Sequence, residues 1–183
     1  MTDATMDAIA KAVADGHTGD PEGAKARLLA MWEAAGPDGD PLHRCTLAHH
    51  LADLYADPAE ALAWDVRALD AADALTDERT GAHHPGLKAA GLYPSLHLNL
   101  AEGYRRLASF DAARRHIAAA QDSAAILADD PYGQLISEAI ARTAAAIAEE
   151  RTDLVNLLHY DVHSSSWWNA KRATSRCWAG SWS

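Results

Sequence analysis

The sequence predicts an all-α chain of amphipathic helices joined by short turns, with a last helix near residues 130–150 that has no evident partner. Three observations carry this. Apolar residues recur at steps of three and four through most of residues 1–152, and no stretch alternates at period two. The apolar content is 49 %, but Ala dominates it and there is one Phe, which suits closely packed helices better than a sheet sandwich. Asp-Pro pairs at 20–21, 57–58 and 130–131 put a helix-capping acid before a proline at the first helical position.

Taken in order, residues 3–15 form a short helix with Met6, Ile9 and Val13 inward, broken by Gly16 and Gly19. Asp20-Pro21-Glu22 opens a second helix whose inner face is Ala24, Leu28, Met31 and Trp32, and the Gly/Pro-rich run 36–41 ends it. Residues 42–56 form the third, carrying Leu47, Leu51, Leu54 and Tyr55. Asp57-Pro58 opens its partner, with Ala61, Ala68 and Leu69. Residues 76–92, TDERTGAHHPGLKAAGL, read as a long loop with one helical turn near 87–90. Residues 94–125 then give two amphipathic helices around a turn at 108–111. Leu96, Leu100, Gly103, Tyr104 and Leu107 share one face, and Ala113, Ile117, Ala120, Ala124 and Leu127 the other. Ser109 or Asp111 is the expected N-cap of the second helix, and Tyr104 is expected to be buried between hairpins. A last helix from Asp130 carries Ile136, Ile140, Ala144 and Ile147.

The composition then changes. Residues 153–183 form a Trp/Ser-rich tail with four of the six Trp residues and no regular period, which predicts a disordered end beyond a helical domain at 1–152. An altered reading frame, or docking through Trp167 and Trp168, would account for the same composition.

The window 94–125 resembles the tetratricopeptide repeat family, in which helical hairpins of about 34 residues stack into a solenoid. Leu100, Ala101, Tyr104, Ala113, Ile117 and Ala120 stand at that family's large and small consensus positions. His97 replaces a usual aromatic residue. Ala125 replaces the usual helix-ending proline, so the second helix is expected to overrun. The resemblance is weaker at 42–75 and degenerate at 5–35. It implies a right-handed α-solenoid of about three hairpins plus a capping helix, with first helices lining a concave groove. Carried over by position, the groove residues are Thr46, His49, His50, Asp53, Ser95, Leu98, Asn99, Glu102, Arg105 and Arg106. It also implies a non-catalytic interaction module that binds a peptide or partner segment. In that groove Asn99 would hold a ligand main chain and Arg105 or Arg106 a ligand carboxylate. Glu102 and Arg106 are spaced to pair along the helix.

The formal charge of −10 argues against nucleic acid and anionic membranes as partners. Cys45 and Cys177 form no CxxC pair. The N-terminal stretch is acidic and lacks an apolar core, so a signal peptide is not predicted and a cytoplasmic protein of bacterial type is. No nucleophile elbow, phosphate loop or paired-carboxylate motif stands out, so no catalytic residue and no cofactor is assigned. A homodimer remains open. One alternative class is a metal-dependent or catalytic protein using His49, His50, Asp53 and His97. Against it, adjacent His residues on a helix point about 100° apart, which predicts that His49 and His50 do not share an ion. Another alternative is a regulatory fragment of a transcriptional or signalling system.

Overall fold

A computed structural model describes residues 3–84 and 86–153. Of the expected tail, residues 154–183 lie outside the described residues. Within them the chain is all-helical: α1 (Ala4–His17), α2 (Pro21–Ala35), α3 (Pro41–Ala52), α4 (Pro58–Ala72), α5 (Asp77–His83), α6 (Tyr93–Arg106), α7 (Phe110–Ser123) and α8 (Pro131–Ala148), with 3-10 turns at Ala89–Leu92 and Ala124–Ile126.

Aspartate sets most of the helix starts. Asp20 accepts from the Gly23 N–H at 3.0 Å, Asp57 from Ala59 at 2.7 Å and Asp130 from Gly133 at 2.7 Å, each with proline next in the chain. Asp40, which the sequence reading placed only in a helix-ending turn, caps α3 in the same way, accepting from Leu42 at 2.9 Å. Ser109 holds the N-cap position of α7, but its side chain makes no capping bond. Asp111 pairs with Arg114 at 2.9 Å instead.

Three boundaries differ from expectation. Helix α1 runs through Gly16 to His17, and a Cβ on Gly16 would lie 2.8 Å from the Ala24 Cβ. The glycine permits close approach to α2 rather than breaking the helix. Helix α7 does not overrun; its end tightens into the 3-10 turn. The 76–92 segment contains α5 as well as a short turn, located at 89–92 rather than 87–90.

With the short α5 set aside, helices that follow one another pack together: α1 on α2, α2 on α3, α3 on α4, α4 on α6, α6 on α7 and α7 on α8. Contacts of α1 with α3 and of α6 with α8 run alongside that series. Two apolar clusters result. One joins α1–α4 to Leu92 and Leu96; the other joins Leu98 and Ala101 of α6 to α7 and α8. Helix α5 is tied down by charge. Arg79 donates from Nη2 to Asp3 at 2.7 Å and from Nε to Asp40 at 2.5 Å, and His43 Nε2 lies 2.9 Å from Asp3. Burial pushes the Asp3 carboxyl up, but the bonds from His43, the Met6 N–H and Arg79 outweigh it and hold it at about 2. Among the described residues no helix is long and apolar enough to cross a membrane.

Candidate functional site

Helices α3, α4 and α6 meet where the sequence placed its groove, but most of the expected ligand-facing side chains are turned to internal use. Thr46 is buried, and its hydroxyl bonds back to Leu42 O at 2.8 Å. Ser95 is buried likewise, bonding Leu92 O at 3.0 Å. Leu98 belongs to the second apolar cluster. Arg105 has 0 % of its surface exposed. It grips both Glu102 carboxylate oxygens, at 2.8 and 2.7 Å, and donates to the carbonyls of Arg151 and Asp153. The expected Glu102–Arg106 pair is therefore replaced by a Glu102–Arg105 fork, three residues apart rather than four. Arg106 and Asn99 are half-buried.

Asn99 sits at the junction of the three helices. Its Nδ2 donates to Asp65 Oδ1 at 3.3 Å and lies 3.4 Å from His49 Nδ1. Asp65 is only 6 % exposed, and the sequence reading passed over it. A signal existed. Asp65 lies four residues after Ala61 and three before Ala68, so an acid occupies the inward stripe of α4. His49 and His50 are both buried, and Asp53 is half-buried at the end of α3. A small cavity opens beside them between α1, α2 and α3, lined by His17, His50, Asp53 and apolar side chains.

The remaining His residues divide. His84 Nδ1 accepts from the Gly86 N–H at 3.2 Å. His97 is drawn away from the His49 cluster into a seam with α7, where its Nδ1 lies 3.1 Å from His116 Nδ1. Tyr104 stacks on the His116 ring with centroids 5.3 Å apart, and it is half-buried rather than buried.

A second feature was not read from sequence. Trp32 meets Trp64 edge to face at 5.2 Å, and Tyr55 lies 6.2 Å from Trp64. Three cations cover these rings: Lys25 over Tyr55 at 3.4 Å, Arg44 over Trp32 at 4.2 Å and Arg67 over Trp64 at 4.4 Å. Arg44 and Arg67 also line a cleft of about 200 Å³ with Asp70 and the 37–41 turn. Helical periodicity placed Trp32 and Tyr55 with the inward residues of their own helices, but it passed over Trp64 and could not show that the three rings meet.

Comparison with known proteins finds no matching family model, no matching curated protein and no matching solved structure.

Proposed function

We propose that the chain is a non-catalytic interaction module of the cytoplasm, a right-handed stack of about three tetratricopeptide-like hairpins capped by α8, that binds a segment of a partner protein. The order of packing supports the stack: apart from the short α5, each helix lies on the next one along the chain, with α1–α3 and α6–α8 contacts between next neighbours. The binding surface differs from the one first expected, because Thr46, Ser95, Leu98 and Arg105 are consumed inside the molecule.

The observation that carries the reading is the cleft beside α4. Two guanidiniums border it, each held over a Trp face, on a chain whose net charge is −10. Trp, Tyr and Arg are the residue types that dominate binding energy at interfaces, because they combine large area with oriented donors. A guanidinium fixed by an aromatic ring loses little entropy on meeting a carboxylate. The fitting partner segment is therefore acidic. Exchange of Arg67, which is exposed, for Glu tests this. Capture of the partner from cell lysate should fall at least tenfold with an unchanged circular dichroism spectrum. Equal capture by Arg67→Glu would remove the cleft from the interaction.

A further inference from the structure

The last turn of α3 and its C-cap gather three metal-ligating side chains that partner binding leaves unused. His49, His50 and Asp53 each bring one donor atom within 4.8 Å of the other two. Adjacent helical positions diverge by about 100°, yet the two imidazole rings stand 5.3 Å apart, centroid to centroid. Asp53 explains how such a set can converge. It is three residues beyond His50 and four beyond His49, the two spacings that place a side chain over its predecessors on a helix.

We infer that His49, His50 and Asp53 hold one divalent ion of the zinc class, with a water in the fourth position. Two imidazoles and a carboxylate suit zinc, cobalt or ferrous iron, whereas calcium and magnesium take oxygen donors. Bonds of about 2.0–2.2 Å put tetrahedral donors about 3.3–3.6 Å apart. Closing from the present spread is a side-chain movement of about 1 Å, within the reach of small χ changes. The neighbouring cavity supplies the fourth position. It holds about 20 Å³, room for a single water, and it is lined by His17, His50 and Asp53.

The surroundings favour a cation twice over. The ion would sit at the negative end of the α3 dipole, where the helix stops at Ala52. Asp53 and the buried Asp65 put two carboxylates close to it, Asp65 through Asn99. With Nε2 on the metal, His49 carries its ring proton on Nδ1; the Asn99 amide, whose Nδ2 now faces both that nitrogen and Asp65, would turn over so that its oxygen accepts from Nδ1–H and orients the ring. The inference stands independently of partner binding.

The test uses the full chain without an affinity tag, stripped with a chelator and titrated with Co²⁺ and then Zn²⁺. Wild type should bind one equivalent of Co²⁺ with the visible bands of a low-symmetry site, lose them to Zn²⁺, and melt at a higher temperature with metal than without. Asp53→Asn, at a half-buried position where folding is retained, should weaken binding at least tenfold, as should His50→Gln. Asn99→Ala should weaken it about tenfold by releasing the His49 ring, and His84→Gln should leave it unchanged. A wild type that takes up neither ion, or an Asp53→Asn variant with wild-type affinity, would overturn the assignment.

Discussion

At Arg105 a guanidinium with no exposed surface holds together α6 and the chain leaving α8. Its charge is matched by Glu102 in a two-bond fork, and its other N–H groups reach the carbonyls of Arg151 and Asp153. Removing one member of such a set strands the other in a poorly hydrated place, which costs about 3–5 kcal/mol. Arg105→Met is therefore expected to lower the unfolding free energy by about that amount, measured by urea denaturation, and Glu102→Gln by less, since the carbonyl bonds survive. An Arg105→Met variant as stable as wild type would show that the fork is not structural. The same residue shows where sequence reading stops. Carried over by position, Arg105 was expected with Leu98 and Glu102 on the groove face of α6, open to a ligand, because helical spacing cannot reveal what lies over a face. The chain 46–48 residues further on is what covers it. Asp65 differs, because its position in an otherwise Ala-rich stripe was visible.

Among the elements, those with a strong local signal were legible and those held by distant partners were not. The Asp-Pro starts of α2, α4 and α8 are written in two adjacent residues, and the structure begins those helices there. Helix α5 has seven residues and one buried position, Thr80; it depends on Arg79 reaching Asp3 across 76 positions of sequence. The α6–α7 seam adds a pH dependence that no motif announces. Burial pushes the His97 and His116 imidazoles below their ordinary value, and His116 is lowered further by His97 and Arg115, while Asp73 partly restores His97. Their depressed folded values mean that the unfolded chain binds more protons near and below pH ~6.5. The stability they contribute is full above that value and is lost as pH falls towards the folded values. The melting temperature should drop between pH 7.5 and 5.5, and His116→Asn should shrink the drop. His83, lowered by burial, titrates in the same window, so His83→Gln serves as the parallel measurement. Asp3, held at about 2, stays ionised throughout and adds nothing to the change. A drop that His116→Asn leaves intact would assign it elsewhere.

At the scale of the fold, the two apolar clusters among the described residues share one helix. Leu96 of α6 belongs with α1–α4, while Leu98 and Ala101 belong with α7 and α8. The seam that carries α6 onto α4 is tight: a Cβ on Gly103 would lie 3.0 Å from the Leu62 Cδ1, and Asn99 bonds Asp65 across it. Where elements pack mainly on their neighbours, stability is a sum of local terms joined by interfaces, and loss at one end need not spread to the other. Ile140 is buried in the second cluster, so Ile140→Ala should cost about 2–5 kcal/mol. Native-state hydrogen exchange should then show that loss in α7 and α8, with α3 and α4 keeping most of their protection. Leu96→Ala, at the joint, should lower protection on both sides, because it weakens the interface through which each half supports the other. The comparison also checks the sequence-level expectation of a stack from its mechanical consequence. If Ile140→Ala lowers protection equally from α3 to α8, the two clusters unfold as one body and the chain behaves as a single cooperative core.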